Sequence, residues 1–127
     1  MKNSVNWFDI YTSDFERAKR FYATVFNIQF KEISVGNERH TQMRYAIFPT
    51  DENSHGTSGA LVQLDVAKPG IGGTMVYFLS EDIDATLIRV AAAGGKVIRT
   101  KQDVGDLGHI ALIEDTEGNM IGLRTAV

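Results

Sequence analysis

Three histidines are the residues of this 127-residue chain best suited to ligate a metal or move a proton near neutral pH. His40 sits in the polar connector GNERHTQ and His55 in the loop DENSHGTS, settings that favour solvated surface histidines. A site built from Glu38 and His40, or from Asp51 and His55, would depend on loop geometry. His109 opens a strand after Gly108, and because that strand borders the expected cleft it is the best of the three for touching a bound ligand. The adjacent carboxylates Glu114 and Asp115 stand at a turn and read as solvated surface. Cysteine is absent, so disulfides, thiolate metal sites and a cysteine nucleophile are excluded. Neither a G-x-S-x-G, a P-loop nor a G-x-G-x-x-G motif occurs. Gly70-Ile71-Gly72-Gly73 leads into a strand and opens no helix, so it offers no helix N-terminus to a phosphate.

The remaining candidates depend on the elements that carry them. Val5–Ile10 is aromatic and β-branched and predicts a strand. Ser13 or Asp14 then caps a helix over Phe15–Phe26, whose apolar residues Phe15, Ala18, Phe21, Tyr22, Val25 and Phe26 form one stripe. Asn27 stops it. Strands are expected at Ile28–Ile33, Met43–Phe48 and Gly59–Asp65. After the linker the order recurs, with a strand at Thr74–Leu79, a cap within Ser80–Asp82, a helix over Ile83–Ala93 ended by Gly94-Gly95, and a strand at Lys96–Arg99. A hairpin closes the chain, its runs His109–Ile113 and Met120–Leu123 flanking Asp115-Thr116-Glu117-Gly118-Asn119. Gly118 and Asn119 are available there for positive φ.

Asp14 and Asp82 are 68 residues apart, as are Phe15 and Ile83, Asn27 and Gly95, and Phe30 and Ile98. Cap, helix, stop and following strand therefore repeat in register. The chain reads as one domain of two βαβββ modules, about 1–66 and 73–127, joined by a linker at 67–72.

The closing H-I-A-L-I-E-D-T-E-G-N-M-I-G-L, the F-x-x-A-x-x-F-Y helix from Phe15 to Tyr22 and the A-A-A-G-G-K-V segment from Ala91 to Val97 resemble the vicinal oxygen chelate superfamily. That superfamily includes glyoxalase I, bleomycin-resistance proteins and extradiol dioxygenases. The resemblance covers essentially the whole chain and implies an α+β fold of paired βαβββ modules forming a curved mixed sheet around a cleft. Many members carry D-P-E-G-N at the turn, where this chain has Thr116 in place of proline.

Metal-dependent members hold a divalent ion with His, Glu or Gln from the first, fourth, fifth and eighth strands. Such ions need nitrogen or oxygen donors at about 2.0–2.3 Å. The matching positions here are Trp7, Gln63, Met75 and Gly122, of which only Gln63 carries a suitable donor. The resemblance therefore implies no family metal site and no cofactor.

Strand alternation sends Trp7, Asp9, Met75, Tyr77 and Leu79 to the cleft face, away from Phe8, Ile10, Val76 and Phe78. Met120, Gly122 and Arg124 join them. Matching V-Q-L to I-G-L adds Leu61, Gln63 and Asp65. Trp7, Met75 and Tyr77 give an apolar surface, and Asp9, Gln63, His109 and Arg124 supply polar handles for a ligand. Two readings of Trp7 and Met75 stay open, a ligand wall or packing between modules. Asp9 reads either as a base or as the structural partner of Arg124.

Composition is that of an ordinary globular chain, 43% hydrophobic and 23% charged, with a net charge of −3 and no basic block. A nucleic-acid partner is not expected. No apolar run reaches the roughly 20 residues that span a bilayer, and a cytoplasmic location is the default expectation. The expected function is binding of a small organic molecule without the family metal. The alternatives are a metal-dependent lyase, isomerase or dioxygenase with atypical ligands, and a ligand-sensing accessory module. Whether the chain is an enzyme is open; if it is, the resemblance implies lactoylglutathione lyase-like chemistry. Homodimerisation, with a cleft shared between chains, is likewise open.

Overall fold

The computed structural model describes residues 7–35, 43–51, 53, 56–64, 67–72 and 74–125. Glu38, His40, His55 and Asp65 lie outside these residues, as do the proposed module limits at 66 and 73. The described elements are two four-stranded mixed sheets and two helices, arranged β-α-β-β-β twice.

Helix α1 (Phe15–Phe26) starts where the Asp14 carboxylate accepts the Arg17 N–H at 3.0 Å. It stops at Asn27, whose left-handed backbone (φ 54°) no β-branched residue would tolerate well. Its apolar stripe buries Phe15, Ala18, Phe21, Tyr22 and Val25. Helix α2 (Ile83–Ala92) repeats the device with Asp82 as cap and Gly94 beyond its end at φ 93°. The two helices pack side by side, and the Arg89 Nε–H donates to the Val25 carbonyl at 2.8 Å.

Strands β1 (Phe8–Tyr11), β2 (Lys31–Val35), β3 (Met43–Ile47) and β4 (Gly59–Gln63) form one sheet in the order β1-β4-β3-β2. Strands β5 (Val76–Leu79), β6 (Lys96–Asp103), β7 (His109–Glu114) and β8 (Met120–Thr125) form the second in the order β5-β8-β7-β6. In each sheet the first strand runs parallel to the last and the remaining pairs are antiparallel. Strand β2 begins at Lys31, three residues later than expected, because Ile28 and Phe30 pack on the core. The Phe30 ring meets Phe48 at 4.9 Å. Strand β6 runs to Asp103, four residues further than expected, because two register shifts let it keep pairing with β7.

One core serves both modules. Ile10, Tyr22 and Leu61 from the first share a buried cluster with Val90, Ile113 and Leu123 from the second. The rings of Phe8, Phe26 and Phe48 all contact Phe78 across the boundary. The turn between β7 and β8 supplies the polar ties. Asp115, expected at a solvated surface, is 3% exposed and accepts hydrogen bonds from Tyr22 Oη–H (2.7 Å) and the Glu117 N–H (2.8 Å). Gly118 takes the positive φ (85°), and Asn119 does not. Its side chain instead donates to the Tyr11 carbonyl and accepts the Gly70 N–H, tying β1 and the linker to the turn.

Candidate functional site

Each sheet has one face against its helix and one free of helices. Buried Ile10, Ala46, Leu61, Ala111, Ile113, Ile121 and Leu123 mark the helix-bearing faces. Alternation then assigns the helix-free ones. Trp7, Asp9 and Tyr11 on the β1 side share such a face with Tyr45, Ile47 and Ile33, through the pairings Tyr11↔Val62↔Tyr45↔Ile33. Large side chains stay in solvent there: Trp7 is 45% exposed and Ile33 42%. The Asp9 carboxylate accepts the Trp7 indole N–H at 3.0 Å, so its described partner is that ring and not Arg124, which lies in the other sheet.

The second helix-free face has three rows across four strands. The middle row is Tyr77, Gly122, Leu112 and Arg99, from β5, β8, β7 and β6. Beside it run Leu79, Arg124, Ile110 and Gln102. On the other side Met120, Glu114 and Lys96 align, with Met75 lining a pocket beside Met120. Tyr77 lies on Gly122: a Cβ added at 122 would sit 2.8 Å from its Cγ and closer still to Cδ2 and Cε2. The ring is 46% exposed and Leu79 is 69% exposed, so an apolar platform faces solvent.

The structure thus places Trp7, Asp9, Met75, Tyr77, Gly122 and Arg124 on helix-free faces or their edges. Three residues go elsewhere. Gln63 turns to the helix side, where its Oε1 accepts the Phe15 N–H at 2.9 Å and helps cap α1, and Leu61 is in the core. The sheet registers pair Phe8 with Gly59 and Val76 with Ile121, so Ala60, not Gln63, corresponds to Gly122. The tripeptide match was three residues out of step, and an odd slip reverses the face of every side chain. His109 has the parity of buried Ala111 and Ile113, and it pairs with Thr125, whose hydroxyl binds the Ser80 carbonyl. It therefore belongs to the helix side of β7.

Arg99 and Gln102 were missed. Three residues apart, they would face opposite ways in a regular strand. The register shift between them brings both onto the face of Leu112 and Ile110. There the Arg99 Nη1–H donates to Gln102 Oε1 at 3.4 Å. Nothing in the sequence KVIRTKQD marks that bulge.

The outer edges of β1 and β5 flank the seam between modules. A groove of about 690 Å³ opens there, walled by Phe8, Phe26, Phe48, Phe78, Met75 and Tyr77. A smaller pocket of about 170 Å³ brings Asp9 and Met75 together beneath the linker.

The donor set does not fit the divalent metal that this fold can hold. With the register corrected, the four strand positions carry Trp7, Ala60, Met75 and Gly122. An indole, a methyl group, a soft thioether and a glycine covered by a tyrosine ring provide no hard donors. Among the described residues, no group of three His, Asp or Glu side chains is placed to bind a metal. Among the same residues no helix is long and apolar enough to cross a membrane.

Fold and site together define a paired βαβββ protein with open, apolar sheet faces. The family profile described as the Glyoxalase/Bleomycin resistance protein/Dioxygenase superfamily matches residues 4–123, and the chain belongs to that family. It is 26% identical over 126 residues to the provisionally named glyoxylase CFP32 of Mycobacterium bovis, covering 95% of this chain and 45% of that protein. The chain thus spans about half the length of the curated relatives it matches over its whole extent. Among solved structures, a glyoxalase/bleomycin resistance protein from Streptomyces sp. CB03234 is 27% identical with a TM-score of 0.68, covering 95% of this chain and 99% of that one. TnmS3, an antibiotic-binding protein from the same strain, is 26% identical with a TM-score of 0.65, covering 97% and 95%.

Proposed function

We propose that this chain binds a small organic molecule on its helix-free sheet faces without using a metal. The observation that carries this reading is the Tyr77 ring lying on Gly122, at the position where the metal-dependent members place a ligating glutamate. A backbone hydrogen in place of a carboxylate turns a metal-binding position into a flat apolar floor. The exposed rings of Trp7 and Tyr77 support the same reading, because aromatic surface left in water is a site for stacking ligands. The antibiotic-binding neighbour TnmS3 is consistent with it. The word glyoxylase in the name of CFP32 keeps a metal-dependent enzyme of the family in view as the alternative, and that reading needs donors which these positions do not supply.

In this proposal two copies pair so that the Trp7–Asp9 face of one subunit covers the Tyr77–Arg124 face of the other. Exposed Trp7, Ile33, Tyr77 and Leu79 would then enclose the ligand.

The deciding experiment is metal analysis of tag-free protein, followed by thermal shift with Ni²⁺, Zn²⁺, Mn²⁺, Fe²⁺ and Mg²⁺ and with a library of small aromatic compounds. A species that binds only the folded state raises the melting temperature with its concentration. The expected result is no stoichiometric metal, no shift with any ion, and a shift with a subset of the organic compounds. Stoichiometric metal with a clear shift would overturn the proposal.

A further inference from the structure

We infer that the face formed by β5, β8, β7 and β6 is built for a flat aromatic molecule bearing an anionic group, its ring on Tyr77 and its charge at Arg99 and Gln102. The inference rests on the small-molecule reading above and names the ligand class.

Flatness comes first. Tyr77 and Gly122 are opposite one another, and the ring covers the glycine where any side chain would push it off the sheet. Leu112 continues the row on the next strand, and Arg99 ends it on the edge strand. With strands about 4.8 Å apart, the platform from Tyr77 to Leu112 spans roughly 10 Å before the guanidinium is reached. That length suits two or three fused rings stacked on the tyrosine with a substituent at the far end.

Charge comes second. Arg99 is the residue that the bulged β6 turns onto this face, and its side chain is held by the neutral Gln102 amide at 3.4 Å. No carboxylate among the described residues lies within ion-pair distance of Arg99. Lys96, on the same strand, is by contrast offset by Glu114 at 3.9 Å. Arg99 stands on this face in a chain whose net charge is −3, so its presence does not simply reflect a basic protein. A guanidinium fork beside an apolar platform matches a planar carboxylate, sulfonate or ionised phenol, which it binds through paired charge-assisted hydrogen bonds.

The test is calorimetric titration of the full chain with three probes of one shape: anthraquinone-2-carboxylate, its carboxamide, and 2-(aminomethyl)anthraquinone. The carboxylate is expected to bind about tenfold or more tighter than the carboxamide, with the cation weakest. Its affinity should fall as salt is raised. R99Q, on an exposed edge strand, should leave the melting temperature unchanged and bring carboxylate and carboxamide within about threefold of each other. G122A should weaken all three alike by lifting Tyr77. Equal binding of the three probes, preference for the cation, or an R99Q variant that keeps the full preference would overturn the ligand class. G122A-sensitive binding in those cases would leave the small-molecule reading standing. Failure of all three probes to bind overturns the ligand class alone, because the broader reading is decided by the metal and library measurements above.

Discussion

The Glu117 carboxylate locks the turn of the second module onto the first helix through Arg17. Its Oε2 accepts the Arg17 Nε–H at 2.7 Å, while its Oε1 accepts the backbone N–H groups of Ser13 (2.9 Å) and Asp14 (2.7 Å). Burial pushes this carboxyl up, but the bonds from Arg17, Asp14 and Ser13 outweigh it and hold the group below the ordinary glutamate range. A carboxyl lowered in the folded state stabilises the fold above its unfolded pKa, and that contribution is lost as pH falls through the folded value. Stability should therefore decline below about pH 4.5 more steeply in the wild type than in E117Q. At neutral pH, E117A should cost about 2–3 kcal/mol in chemical denaturation, since it removes the ion pair with Arg17 and the charged acceptor of the Ser13 and Asp14 N–H groups.

The Tyr22 hydroxyl should resist ionisation in the folded protein. Burial first, then the nearby Asp115 charge and its hydrogen bond, raise its hydroxyl well above 10. A group raised in the folded state stabilises fully below its unfolded pKa, so stability should fall as pH climbs beyond about 10. Ultraviolet titration of the native protein should show one tyrosine ionising only on unfolding. Y22F should remove that alkaline loss and cost about 1–2 kcal/mol at neutral pH, because Asp115 loses a buried donor.

Gly122 is predicted to control the sheet face without controlling the fold. Tyr77 is half-exposed and has room to swing outward, so G122A should cost no more than about 1 kcal/mol in stability. Any ligand found in the library screen should lose about tenfold or more in affinity. G122E restores the family's glutamate at one position of four. It should produce no metal-dependent thermal shift, and a shift of several degrees with Zn²⁺ or Ni²⁺ would show that other donors are within reach.

Trp7 is the single tryptophan, so its fluorescence reports on its face alone. Quenching by acrylamide should be efficient in the free protein and fall when ligand or a second subunit covers the ring. D9N leaves an oxygen able to accept the indole N–H at that 3.0 Å contact, whereas D9L does not. The emission of D9L should therefore shift while that of D9N stays close to wild type.

Much of the architecture was legible because it is local. The stripe from Phe15 to Phe26, the Asp14 and Asp82 caps and the Asn27 stop are set by side chains within one helical turn of where they act. The 68-residue recurrence then required two like modules. Parity alone also sent Trp7, Asp9, Tyr77 and Gly122 to the helix-free side of their strands.

What failed depended on registers between strands. Gln63 was assigned by a tripeptide match, and only the pairing of β4 with β1 shows that it faces α1. His109 looked promising because its strand borders the expected cleft, but the packing of Ala111 and Ile113 decides which way it faces. Arg99 and Gln102 share a face only because β6 bulges against β7. Asp115, which reads as solvated surface at a turn, is buried together with Glu117 because that turn docks on α1 about 100 residues away.

By itself the sequence determined the helices, their caps, the twofold repeat and the family, since each follows from side-chain periodicity or from motifs read along the chain. Only the tertiary structure decided which residues meet on the open sheet face and that Tyr77 fills the space above Gly122. The reason is physical. Facing in a strand has a period of two residues, so one bulge or one odd slip, invisible in composition, exchanges open-face and core-facing side chains.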